Sequence, residues 1–222
     1  MWKEIIENMD AVLFDLDGTV VDSMGIWKDI DREYFGKYNL ELPSDYQRKI
    51  EGLSFYETAV FTHENYFPML SPQKLMEDWN RMAYDHYANL VKPKEGIRLF
   101  LDTLRDMGKK MGIGTSNSIT LCKATLESND LIGYFDVILT GEECGAGKPS
   151  PDVYLNCAKR LSAAPSRCLV FEDITMGLIA GKRAGMCVVA VHDDYSVDQW
   201  EEKCKTADHS IYSYTEITDE IC

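Results

Sequence analysis

Short apolar runs closed by polar side chains alternate along this chain with stretches whose apolar positions recur every three to four residues. The first run, Ala11 to Phe14, has no polar interruption, the pattern of a parallel strand covered on both faces. It predicts a strand that ends at Asp15 and Asp17. Further strands are predicted over Lys109 to Thr115, Phe135 to Thr140, Cys168 to Phe171, Met186 to Val191 and, more briefly, Ser210 to Tyr212. Helical patterning between them covers Gly96 to Met107, Leu121 to Asn129, Pro151 to Leu161, Gly177 to Ala184 and Val197 to Lys205, with a lead-in helix at Trp2 to Met9. Ser150 is the expected N-cap of the Pro151 helix, with Pro151 at its first position. Regular alternation of strand and helix predicts an α/β fold, a doubly wound parallel sheet with a Rossmann-like core and right-handed crossovers.

One long segment breaks the alternation. From Met24 to Val91 no strand pattern occurs: Ile26, Ile30, Tyr34 and Tyr38 share one helical face, and Leu75, Trp79, Met82 and the neighbourhood of His86 and Leu90 share another. A middle helix or two is predicted over Tyr46 to Phe67, and Pro43, Pro68, Pro72 and Pro93 fall near the breaks. The segment reads as an inserted all-α helical domain, giving a core of residues 1–21 and 93–222 and an insertion of residues 22–92. Its aromatic residues (Trp27, Tyr34, Phe35, Tyr56, Phe61, Trp79, Tyr87) are expected to form mostly small-domain core. If one ring lines a substrate pocket, the best candidate is Trp27, close in sequence to the acids.

Composition narrows the partners. The chain has 222 residues and a formal net charge of −14, from 37 acids against 23 bases. That charge repels a nucleic-acid polyanion, so nucleic acid is not an expected partner. A small phosphorylated substrate would meet the same repulsion unless a metal ion, a lysine or backbone amides made the site locally attractive. The seven cysteines (Cys122, Cys144, Cys157, Cys168, Cys187, Cys204 and Cys222) are odd in number and form no C-x-x-C, which fits neither a disulfide framework nor a zinc site. With no basic start leading into an apolar stretch, and no run near the ~20 apolar residues of a membrane span, a soluble, cytoplasmic protein is expected, with no membrane partner. A monomer is expected.

The strand ends carry the candidate chemistry. Asp15 and Asp17 are two residues apart, so both project to one side if the strand continues through them, and Gly18 permits a sharp turn. A β-hairpin is the alternative reading of Asp-Gly, but a charged helical segment follows where a partner strand is needed. Two other strands end in Thr115-Ser116-Asn117 and in Glu172-Asp173. A fourth loop, Gly145 to Asp152, offers Lys148. In open α/β sheets ligands bind at the carboxyl ends of strands. Converging carboxylates with an open position suit Mg²⁺, which keeps some coordination sites for water and phosphate. Of two neighbouring acids, one can form an acyl phosphate while the other gives and takes the proton. His63, His86, His192 and His209 sit apart without ligand spacing, and no G-x-G-x-x-G follows the first strand.

DLDGTVVDS, T-S-N, GKPSPD and FED with a glycine-bearing helix after it, in that order, resemble the four motifs of the haloacid dehalogenase superfamily. The helical insertion resembles the cap of the subfamily that holds β-phosphoglucomutase and many sugar-phosphate phosphatases. This resemblance implies Asp15 as nucleophile, Asp17 as general acid/base with its backbone carbonyl on Mg²⁺, and Thr115 as a phosphate-binding hydroxyl. It implies phosphate donors at Ser116 and Asn117, a neutralising Lys148, and a metal site of Asp15, Asp17, Asp173 and Glu172. It departs from dehalogenases and phosphonatases in keeping Asp17. It departs from the mutase in placing Trp27 where a histidine stands, and Glu51-Gly-Leu-Ser-Phe55 where two cap-loop bases grip a second phosphate. A Mg²⁺-dependent phosphatase of a small phosphorylated metabolite, a sugar phosphate by resemblance, is therefore expected. A phosphomutase and a non-catalytic binding protein are the alternatives.

Overall fold

The computed structural model describes residues 1–221. Its strands in chain order are β1 (Ala11–Phe14), β2 (Val21–Asp22), β3 (Lys92–Pro93), β4 (Lys110–Thr115), β5 (Val137–Thr140), β6 (Cys168–Glu172), β7 (Cys187–Val191) and β8 (His209–Ile211). Six of them form one sheet in the order β5-β4-β1-β6-β7-β8, and every pairing in it is parallel. The chain winds outward from β1 in both directions, so the order reverses at the centre of the sheet. Ligands of open α/β sheets bind at that crevice. Phe14 pairs with Ile113 of β4 and with Phe171 of β6, so the polar clusters after β1, β4 and β6 emerge side by side.

The apolar runs form strands because both sheet faces are buried. Val12, Phe14, Leu169, Phe171, Val189 and Val191 face one helical layer. Ala11, Leu13, Cys168, Val170, Val188 and Ala190 face the other, against Val153, Tyr154 and Leu178. Phe14 stacks on Phe171 at 5.3 Å between ring centroids, and Phe100 on Tyr214 at 5.4 Å. Each such side chain contributes roughly 1.5–3 kcal/mol by leaving water.

The inserted segment is all helical: Met24–Lys37, Tyr46–Ile50, Phe55–Asn65 and Pro72–Asn89. It joins the core through β2 and β3, which pair antiparallel, Val21 with Pro93 and Asp22 with Lys92. The face expected on its last helix shifts. Leu75 and Trp79 are buried, but the buried stripe continues through Ala83 and Tyr87, while Leu90 is 61% exposed. Steps of four residues hold one face over this length; Met82 stays half-buried against the core, while His86 and Leu90 step off it.

Element ends also move. The helix expected from Pro151 is Asp152–Arg160 with Pro151 at the N-cap. Ser150 does not cap it, because its hydroxyl donates to the Asp152 carboxylate at 2.6 Å instead of accepting from a helix amide. Helices Gly141–Cys144 and Thr215–Ile221 were not expected. Cys122, Cys144, Cys157, Cys168, Cys187 and Cys204 are unbridged, and Cys222 lies outside the described residues. No described helix is long and apolar enough to cross a membrane.

Candidate active site

Asp15 follows β1 directly, and its amide donates to the Phe171 carbonyl of β6 at 3.0 Å, so the strand pairing carries the acid to the sheet edge. Its carboxylate meets Lys148, whose Nζ lies 2.5 Å from Asp15 Oδ1 and 2.5 Å from Glu172 Oε1. The ammonium is buried and fixed between two acids.

Glu172 is held from every side. Its Oε1 also accepts from the Tyr154 hydroxyl at 2.6 Å, and its Oε2 from the Asp173 amide at 3.1 Å. A Cβ on Gly177 would fall 1.9 Å from its carboxyl carbon. Only glycine leaves room there for this carboxylate.

Asp173 differs. Its Oδ1 accepts from Thr19 at 3.0 Å, and its backbone carbonyl accepts from Lys203 Nζ at 2.8 Å and Ser196 at 3.1 Å. Its Oδ2 is buried without a hydrogen-bond partner, and a Cβ on Gly18 would lie 2.3 Å from that oxygen. Gly18 adopts φ +78°, a left-handed conformation that glycine takes without strain. Oxygens of Asp15, Glu172 and Asp173 lie within 4.8 Å of one another. Three buried carboxylates thus cluster here, two of them on Lys148 and the third with its backbone carbonyl on the buried Lys203.

Crowding and desolvation oppose the ionisation of Asp15 and Asp173. Burial pushes the Asp15 carboxyl up to about 8, with the Glu172 and Asp17 charges adding to the rise and Lys148 opposing it. Burial also pushes Asp173 well above the usual carboxylate range, helped by Asp15 and Glu172. Burial lowers Lys203, against the pull of Asp173. A divalent cation would relieve this excess of negative charge, and the unpartnered Asp173 oxygen is a vacant oxygen donor of the kind Mg²⁺ takes. The residues fit such an ion.

Asp17 faces a different set of donors. Ser23 donates to its Oδ1 at 2.5 Å, the Tyr87 hydroxyl donates to the same oxygen, and Asn117 Nδ2 donates to Oδ2 at 2.8 Å. The side chain of Asp17 is not among the three carboxylates grouped around Asp15.

The triplet after β4 divides its work. Thr115 Oγ1 accepts from the Asn117 amide at 3.0 Å, which leaves its hydrogen to donate. Asn117 commits its side-chain amide to Asp17 and Tyr87, and Ser116 donates to the Gly52 carbonyl of the insertion at 3.2 Å. All the expected site residues lie at this sheet edge. Thr115 and Lys148 keep polar groups close to the acids, whereas Ser116 and Asn117 turn toward the helical insertion and Asp17.

Sequence reasoning did not find Tyr87, Ser23, Thr19, Tyr154 or Lys203. Thr19 and Ser23 stand in the DLDGTVVDS stretch but have no role of their own in that motif, Tyr154 and Lys203 stand outside the four motifs, and Tyr87 reads as one aromatic among many. Trp27, the candidate pocket-lining ring, donates to the Tyr87 hydroxyl at 2.6 Å. His63 Nδ1 donates to the Leu70 carbonyl at 2.6 Å, a satisfied structural histidine. Burial raises the Cys144 thiol, the opposite of activation.

Residues 12–191 match the family model described as haloacid dehalogenase-like hydrolase. The chain belongs to that family. Within it, the chain is similar to phosphatases. It is 29% identical over 182 residues to the phosphorylated carbohydrates phosphatase of Thermotoga maritima, covering 80% of this chain and 82% of that one. It is 34% identical over 191 residues to the bifunctional riboflavin kinase/FMN phosphatase of Arabidopsis thaliana, covering 82% of this chain but 48% of that longer protein. The β-phosphoglucomutase of Clostridium difficile shares the fold, with a TM-score of 0.81 at 23% identity over 96% of this chain and 95% of that one.

Proposed function

We propose that this protein is a Mg²⁺-dependent phosphatase of a small phosphorylated metabolite, a sugar monophosphate in the first instance, acting through an aspartyl phosphate on Asp15. The observation that carries this reading is the buried Lys148 seated between Asp15 and Glu172 beside an Asp173 oxygen that has no partner. Asp15, Asp173 and the backbone carbonyl of Asp17 would hold the ion, with Glu172 as a further carboxylate in reach. When bound, Mg²⁺ would screen the phosphoryl oxygens and the nucleophile from each other's charge.

Asp15 Oδ attacks phosphorus, and the bond to the leaving oxygen breaks. Asp17 gives that oxygen its proton. Lys148 and the free Thr115 hydrogen take up charge on the transferring phosphoryl group. Water then attacks the acyl phosphate, loses its proton to Asp17 and releases inorganic phosphate, which restores Asp15. The helical insertion, residues 22–92, acts as a cap that hinges at β2 and β3 and keeps bulk water from the intermediate.

A sugar phosphate follows from the named activity of the Thermotoga maritima relative. The mutase reading draws on likeness of fold, and the loop that sits on the site, Glu51-Gly52-Leu53-Ser54, carries no cation to grip a second phosphate. Asp15→Asn should lower turnover of p-nitrophenyl phosphate and of sugar monophosphates by at least about a thousandfold. Acid quench of the parent enzyme should leave phosphate on the Asp15 peptide in mass spectrometry. Retained turnover in Asp15→Asn would end this reading, and isomer formation in place of free phosphate would favour the mutase.

A further inference from the structure

Tyr87 lies near the end of helix Pro72–Asn89, within the inserted helices, yet its hydroxyl reaches the acid/base proposed above. The ring is fully buried, and its centroid lies 6.0 Å from that of Trp27. Packing alone would be served as well by phenylalanine.

The polar contacts are more specific. A phenol has one hydrogen to give and two lone pairs to fill. Trp27 Nε1 donates to the Tyr87 oxygen at 2.6 Å and Asn117 Nδ2 at 3.0 Å, and neither of these groups can accept. The Asn117 orientation is fixed independently, since its Oδ1 accepts from the Ser118 amide at 2.7 Å. Both lone pairs are therefore taken, and the single phenolic hydrogen is committed to Asp17 Oδ1. Ser23 donates to that same oxygen and Asn117 to the other, so the plane of the Asp17 carboxylate is pinned from the insertion and from the core together.

We propose that Tyr87, aligned by Trp27, is a positioning residue that the cap delivers to Asp17, so that proton transfer to the leaving oxygen is competent only when the cap is seated. The inference rests on the phosphatase reading given above.

Leaving-group dependence tests it. The quantity kcat/KM reports only the steps through formation of the aspartyl phosphate, where a poor leaving oxygen needs a proton and a good one does not. In Tyr87→Phe, kcat/KM should fall less than about threefold for p-nitrophenyl phosphate and at least about tenfold for an alkyl or sugar monophosphate. In an Asp17→Asn background, adding Tyr87→Phe should bring no further leaving-group dependence. An equal loss across the series would assign Tyr87 to packing and overturn the proposal. Trp27→Phe frees one phenolic lone pair and should give the same trend at smaller size, a second route if Tyr87→Phe does not fold. Turnover in Asp15→Asn would sink the phosphatase reading itself, whereas an inactive Asp15→Asn with a flat Tyr87→Phe series would sink this inference alone.

Discussion

At the scale of single residues, the site depends on where Lys148 is held, and that depends on a carboxylate that need not touch substrate. Glu172 fixes one side of the ammonium, Tyr154 and the Asp173 amide fix Glu172, and Gly177 leaves it space. Gly177→Ala would drive a methyl group into the Glu172 carboxyl. The expected cost is about 1–3 kcal/mol in urea denaturation, as for overpacking elsewhere, with turnover down at least about tenfold as Lys148 shifts. Full turnover in a folded Gly177→Ala would mean that Glu172 does not seat the lysine. The sequence places Gly177 at the start of a helix, but that its neighbour is a charged side chain follows only from the strand that ends at Glu172. Tyr87 is less legible still. It is 70 residues from Asp17 along the chain, and proximity in sequence points to Trp27, which touches the acid only through Tyr87.

At the scale of elements, the insertion is fastened to the core by a helix cap that does two jobs. Ser54 and Glu57 form a capping box at the start of helix Phe55–Asn65, and Glu57 Oε2 also accepts from the Gly147 amide of the Lys148 loop at 2.8 Å. Glu57→Ala should therefore loosen the insertion and the lysine loop together. We expect a loss of about 1 kcal/mol from the cap and faster amide hydrogen exchange at Gly147, with β1 unchanged; unaltered exchange at Gly147 would separate the two elements. Most elements are legible in the sequence, because a short, uninterrupted apolar run such as Cys168 to Phe171 suits a strand buried on both faces and is too brief for a helix. Gly141–Cys144 is too short to show a period. Thr215–Ile221 buries only Ile217 and Thr218 among its described residues, too few to mark a face. The start of helix Asp152–Arg160 moves because Ser150 has a second partner, the Asp152 carboxylate, that spacing does not reveal. Motif order locates the sheet edge of the candidate site, while the supporting contacts of Tyr87, Tyr154 and Lys203 come from elements that the motifs do not name.

At the scale of the whole molecule, an acidic chain that buries carboxylates holds stability that depends on pH, and the insertion has its own contribution. Asp31 lies on helix Met24–Lys37 with 5% of its surface exposed, and Gln47 donates to it. Burial pushes its carboxyl from 3.8 up to about 7, and the Gln47 hydrogen bond only partly offsets this. The folded state therefore binds the Asp31 proton more tightly than the unfolded chain does. Below about pH 4 both states carry the proton and nothing is lost. Between about pH 4 and 7 the unfolded chain ionises while the folded one resists, so stability falls as pH rises, by at most about 4 kcal/mol above pH 7. Asp15 and Asp173 shift in the same direction, so the pH profile of the parent protein alone does not isolate Asp31. The difference between the parent and Asp31→Asn does, because the site carboxylates cancel in it. Asn keeps an oxygen to accept from Gln47 and has no charge to desolvate. Urea midpoints should therefore be closest below about pH 4 and diverge as pH rises, with Asp31→Asn the more stable of the two at pH 8. A constant difference from pH 5 to pH 8 would show that Asp31 ionises in the folded insertion as freely as in the unfolded chain. The expected divergence would show that the insertion weakens with rising pH through a group remote from the phosphoryl chemistry.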